Sequence, residues 1–94
     1  MKENILAAAV KVAARKGLNE VTRDEVALAA GCAPGSVSYY FDNMRKLRAA
    51  IVSQAIADRA LVVIGRALAV AHPLAVKAPA ELKKAALTAL AALK

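Results

Sequence analysis

The sequence predicts an all-α fold, and three features carry that prediction. Ala, Val, Ile and Leu supply most of a hydrophobic content of 60%, and Trp is absent, so local propensity favours helix along most of the chain. Apolar residues recur at intervals of three and four, with no alternating strand pattern to compete. All three prolines and most of the glycines gather at a few points, where they punctuate one helix from the next. At 94 residues the chain makes one small domain, of a size that often completes its core by oligomerising.

In the first helix Ile5, Leu6, Ala9, Val12 and Ala13 share a face, with Glu3, Lys11, Arg15 and Lys16 largely elsewhere. Gly17 follows the basic last turn as a C-terminal cap, so this helix runs from about Lys2 to Lys16. The same charges interrupt the apolar run at helical spacing, unlike the continuous core of a secretory leader. Thr22 stands three residues before Glu25, a capping-box pattern that satisfies free backbone N–H groups, and Asp24 adds favourable charge to the first turn. The second helix is therefore short, about Arg23 to Ala30. Gly31 supplies the left-handed residue that ends it, and Pro34 is preset for the first turn of a third helix, about Pro34 to Tyr40.

Asp42 or Asn43 caps a fourth helix, whose apolar positions Leu47, Ile51 and Ala55, then Leu61, Ile64 and Leu68, predict one long element from about Met44 to Ala71, broken at His72 and Pro73. From Ala60 to Ala71 the sequence is apolar on nearly every side except at Arg66, a pattern that predicts burial against a partner chain. The segment is too short to span a bilayer, so the expectation is a soluble protein without a membrane partner. "HPLAVKAP" reads as a linker. Pro79 then opens a last helix, with Leu82, Ala86, Ala89, Leu90 and Leu93 opposite Lys83, Lys84 and Thr88. The expected oligomer interface is Ile56, Leu61, Val63, Ile64 and Leu68, with Leu87 and Leu90 from the last helix. The chain divides into residues 1–47 and a helical oligomerisation region, 48–94, within one compact domain.

The formal net charge of +7 suits a polyanionic partner, although solubility alone accounts for it equally well. Eight basic and five acidic residues lie up to Ala50, and six and two lie beyond it, so charge does not locate the site. Cys32 is the only cysteine; it forms no internal disulfide, builds no metal site alone and suits a reducing, cytoplasmic setting. No nucleophile–base pair, metal-ligand cluster or phosphate-binding loop stands in the sequence, so the expectation is a non-enzymatic protein without a cofactor.

Two short helices joined by a tight glycine turn form a helix-turn-helix, whose second helix can enter the DNA major groove. Val26 and Ala27 face inward, Ala30 and Gly31 permit close approach at the turn, and Val37 anchors the third helix. With Val37 inward and about 100° per residue, Phe41 falls beside it while Gly35 and Tyr39 point away. Ser36 and Ser38 flank that outer face, and Tyr40 lies at its edge. A face that is small and polar at its start lets the helix N-terminus approach a duplex, and the Tyr39 ring can meet a thymine methyl or a sugar.

The run "VTRDEVALAAGCAPGSVSYYFDNMRKL" resembles the DNA-binding region of the TetR family of transcriptional repressors. The matching residues are Thr22 opening the second helix, Val26-Ala27 within it, the Ala30-Gly31 turn, Gly35, Val37, Tyr40, Phe41 and Leu47. Three positions depart: Ser38 stands where the family commonly has Tyr, Ala33 where Ser or Thr caps the third helix, and Met44 where a phosphate-binding Lys is usual. The resemblance implies a homodimer that places two recognition helices in successive major grooves of a double-stranded DNA operator. Thr22 and Tyr40 would hold phosphates, Arg23, Ser36 and Tyr39 would read bases, and Arg45 or Lys46 would grip the backbone.

Family members usually carry a much longer helical part after this motif. The short remainder here leads to the expectation of no roomy effector pocket, release by a protein antagonist, and a phage or mobile-element context. Two burial surfaces per chain allow dimers to pair into a tetramer. The competing reading is a protein-interaction module on the same scaffold, without operator binding.

Overall fold

The computed structural model describes residues 2–92. Among these the chain forms α1 (Lys2–Lys16), a 3-10 turn (Leu18–Glu20), α2 (Arg23–Ala30), α3 (Pro34–Phe41), α4 (Met44–Asp58), α5 (Leu61–Ala69), α6 (Pro73–Val76) and α7 (Ala80–Ala91). The first four helices follow the apolar spacing closely. Ile5, Ala9, Val12 and Ala13 of α1 are buried with Val26 and Ala27 of α2, Val37 and Phe41 of α3, and Leu47, Ile51, Val52 and Ala55 of α4. Gly17, at φ 109°, turns the chain out of α1, and Leu18 and Val21 of the following turn drop into the same core.

The long helix from Met44 to Ala71 does not form. α4 stops at Asp58, where Arg59 takes the left-handed conformation (φ 54°, ψ 41°) and the Ala60 N–H closes onto the Ala55 carbonyl at 2.8 Å. A left-handed conformation costs a non-glycine residue about 1–2 kcal/mol. Turning back lets α5 bury Val63, Ile64 and Ala67, and each large aliphatic side chain removed from water contributes roughly 1.5–3 kcal/mol. The burial outweighs the strain. Neither glycine nor proline marks the break, because its cause is tertiary.

The apolar segment expected against a partner chain is therefore covered by its own chain. Val63 and Ile64, expected at an oligomer interface, are 1% and 0% exposed within one protomer, which takes them off the surface. Ile56, Leu61, Leu68 and Leu90 are half-buried, and Leu87 is exposed. Arg66, the one charge in α5, is held at the end of α1. Its Nε donates to the Ala14 carbonyl at 2.6 Å and its Nη2 to the Arg15 carbonyl at 3.3 Å, satisfying acceptors that the last turn of a helix leaves free.

The last helix is docked. A Cβ added to Gly65 would lie 2.8 Å from the Ala86 carbonyl oxygen and 3.0 Å from the Leu90 Cβ, so α5 and α7 cross at near backbone contact. Ala86 is buried and Leu82, Ala89 and Leu90 half-buried, while Lys84 and Thr88 are exposed as the pattern predicts; Leu93 lies outside the described residues. The expected linker contains α6, which His72 caps by accepting the Leu74 N–H on Nδ1 at 3.2 Å. Lys83 is half-buried and ties α7 to α6 through the Val76 carbonyl at 3.0 Å. Among the described residues no helix is long and apolar enough to cross a membrane.

Candidate nucleic-acid interface

The α2–α3 unit is fixed from beneath and open above. Gly31 (φ 72°, ψ 34°) ends α2 in the left-handed region, and the Cys32 N–H closes onto the Ala27 carbonyl at 3.0 Å, a helix stop of the Schellman type. Pro34 opens α3. Ala33 precedes it in an extended conformation with no side-chain capping bond, as its methyl group dictates. Cys32 is half-buried and packs against the core, the structural role its position suggests. Val37 and Phe41 are 2% and 6% exposed, so α3 is held along one edge.

At the start of α2, Thr22 Oγ1 accepts the Glu25 N–H at 3.2 Å and its hydroxyl donates to Glu25 Oε1 at 3.2 Å. The N-cap bond of the expected box forms, with the Glu25 carboxylate reached by the Thr22 hydroxyl, and the same carboxylate also meets α1: Glu25 Oε2 lies 2.5 Å from Lys16 Nζ and 4.0 Å from Arg15 Nη2. The Lys16 ammonium, hydrogen-bonded to Glu25, holds its carboxyl below the usual carboxylate range against a partial desolvation in the other direction. Three charged side chains thereby link α1 to α2 at the surface.

Arg23 is exposed, and its Nη1 donates to Ser38 Oγ at 3.1 Å, joining the first residue of α2 to the middle of α3. Both side chains line a cleft of about 190 Å3 at the junction of α2, α3 and α4. Gly35 and Tyr39 are exposed and Ser36 and Ser38 half-buried, the arrangement that the helical spacing predicts. Tyr39 is 80% exposed, and Tyr40 meets it edge to face at 5.0 Å between ring centroids. Tyr40 also lines an open groove with Lys2 and Lys46.

Asp42 turns the chain between α3 and α4 at φ 55°, and Asn43, not Asp42, caps α4 by accepting the Lys46 N–H at 2.9 Å. Asp42 instead accepts from Lys46 Nζ at 2.8 Å, and that bond holds its carboxyl below the usual range. Arg45 is exposed beside them.

The structure thus gathers the sequence-derived residues into two groups, Arg23 with Ser38 over the cleft and Tyr40 with Lys46 along the groove. Sequence reasoning missed three features of this surface. The Arg23–Ser38 bond joins residues fifteen apart and had no local signal. Lys2 stands 5.5 Å over the Phe41 ring, equally non-local. Leu28 is 84% exposed, which was legible, since it lies about 200° around α2 from Val26.

A family profile described as "Bacterial regulatory proteins, tetR family" matches residues 5–51, half of the chain, from Ile5 in α1 to Ile51 in α4. No curated protein and no solved structure matches the chain.

Proposed function

The chain belongs to the tetR family of bacterial regulatory proteins and is a DNA-binding transcriptional regulator, and from that premise we propose that it is a repressor occupying a near-palindromic operator as a homodimer. The observation that carries this reading is the α2–α3 unit itself. Its inner residues are buried while Gly35, Ser36, Ser38 and Tyr39 form a small outer face on a short helix, the shape a major groove admits. In this reading Tyr40, Arg45 and Lys46 contact phosphates, and Arg23, Ser36 and Tyr39 face base edges. The Thr22 hydroxyl, engaged with Glu25, serves mainly to fix the start of α2, whose N-terminus faces the backbone.

The second protomer brings the second half-site; of the expected interface residues, Ile56, Leu61, Leu68, Leu87 and Leu90 stay accessible for that contact or for a further pairing into tetramers, and Val70, Leu74 and Val76 are exposed as well. Release from DNA is assigned to a protein antagonist, as in a phage or mobile-element switch, since the clefts present are open grooves between helices. A small metabolite that dissociates the operator complex would count against that assignment.

Duplexes selected from a random pool for binding test the repressor reading. Binding should weaken steeply with salt, because each neutralised phosphate releases a counterion, and a selected duplex should outcompete random DNA. The Arg23→Ala, Tyr39→Ala double variant should lose the selected duplex with its oligomeric state intact. Equal, weak binding of selected and random DNA at low salt would sink operator recognition.

A further inference from the structure

We propose that Ser38 is a positioning residue for Arg23, and that the pair reads one G·C base pair at a fixed place in each half-site; this rests on the operator-binding reading above. Ser38 has a single side-chain torsion and stands on α3 between the buried Val37 and the exposed Tyr39. Its Oγ accepts from Arg23 Nη1 at 3.1 Å, so the long arginine side chain is tethered to the recognition helix rather than left to sweep through solvent. Val37, Phe41 and Leu47 form the apolar floor of the cleft beneath them. The small Ser38 side chain lines that cleft together with Arg23, Asp42 and Asn43.

A guanidinium carries five N–H donors in one plane. One is spent on Ser38, and the remaining fork is held in a defined orientation at the edge of the outer face of α3. A planar fork of donors matches the O6 and N7 acceptors of guanine in the major groove. Restricting its rotamers before binding lowers the ordering cost that contact would otherwise carry. A phosphate would also accept this fork, often through two bonds, but it carries no sequence information, and Ser38 ties the fork to the recognition helix rather than to a backbone-facing element. The tether is what favours a base.

The test is selection of binding duplexes from a random pool by the full chain and by Arg23→Ala, Ser38→Ala and Ser38→Thr, each checked by circular dichroism for an unchanged fold. The wild type should show a guanine preference at one position of each half-site. Arg23→Ala should lower that preference by roughly 10- to 100-fold, in line with the discrimination a bidentate pair supplies. Ser38→Ala should lower it at the same position by roughly fivefold, a fraction of the same effect, with other positions unchanged. Ser38→Thr, which keeps the hydroxyl, should restore it.

A Ser38→Ala variant with the wild-type preference overturns the positioning role and leaves operator binding standing. A uniform loss across all sequences with a shallower salt dependence assigns Arg23 to phosphate and overturns the base contact. A wild type without any sequence preference defeats the operator reading and this inference together.

Discussion

Gly65 shows how much a single missing Cβ decides. It sits in the middle of α5, where replacing glycine by alanine on an isolated helix would gain about 1 kcal/mol in propensity. Here the new methyl would meet the Ala86 carbonyl oxygen at 2.8 Å and the Leu90 Cβ at 3.0 Å. The nearest atom belongs to backbone, so no rotamer change relieves the contact and the two helices must part. Overpacking of that kind costs about 1–3 kcal/mol. Gly65→Ala is therefore expected to forfeit the propensity gain and to destabilise the protein by up to about 2 kcal/mol net, read from the denaturant midpoint. A variant more stable than wild type by about the full propensity gain of 1 kcal/mol would show that α5 and α7 do not pack at backbone distance. In the sequence this glycine reads only as a weakness within an apolar run; the close crossing was not legible because the partner, Ala86, lies in another helix. Gly31 was legible, because the turn it makes is local and carries its own signature.

At the scale of elements the same division holds. Each boundary set by local chemistry could be read directly: the Thr22–Glu25 box, Pro34 at the first turn of α3, His72 before Pro73. The break at Arg59 could not, because it exists only to return α5 onto α1 and α4. The α1–α2 link is a mixed case. The capping box was visible, but the ion pair of Glu25 with Lys16 was not, and it makes one carboxylate serve two helices. This has a measurable consequence in acid. With the Glu25 pKa lowered in the folded chain, chiefly by the Lys16 hydrogen bond, the folded state binds fewer protons there than the unfolded state does. Its contribution is thus full above the ordinary carboxylate range and is lost as pH falls through that range towards the lowered folded value. Asp42 behaves in the same sense through Lys46. Denaturant midpoints followed from about pH 6 to pH 2 should fall for wild type, and the fall should be shallower for Glu25→Gln. Parallel curves would mean that the Lys16 pair does not persist in solution.

For the whole molecule the question is which apolar residues face a second copy. Residues 60–71 looked like an interface because nearly every side is apolar, yet a helix can be apolar all round for another reason. α5 lies between α1, α4 and α7, so its own chain covers it. Of the expected interface residues Leu87 remains outside, 52% exposed, with Ile56, Leu61, Leu68 and Leu90 half-buried, and Val70, Leu74 and Val76 are exposed as well. Two substitutions separate interior from interface. Ile64→Ala, at a residue 0% exposed, should cost about 2–5 kcal/mol of folding stability, without changing the stoichiometry of the molecules that stay folded. Leu87→Glu should leave the helical fold intact, since its side chain is already half in water, and should shift light scattering from oligomer towards monomer, its thermal transition falling only by what association contributed. The operator supplies the second readout. Two heads joined in one dimer bind the second half-site at an effective concentration that raises overall affinity by roughly 10²–10⁴, so Leu87→Glu should lose a comparable factor on a two-site duplex. On a single half-site it should bind as wild type does, because the α2–α3 unit is untouched. If Leu87→Glu remains fully oligomeric, the contact lies on another face. If it becomes monomeric yet binds the two-site duplex as tightly as before, the two heads do not act together, and the dimeric operator reading fails with its reading surface still intact.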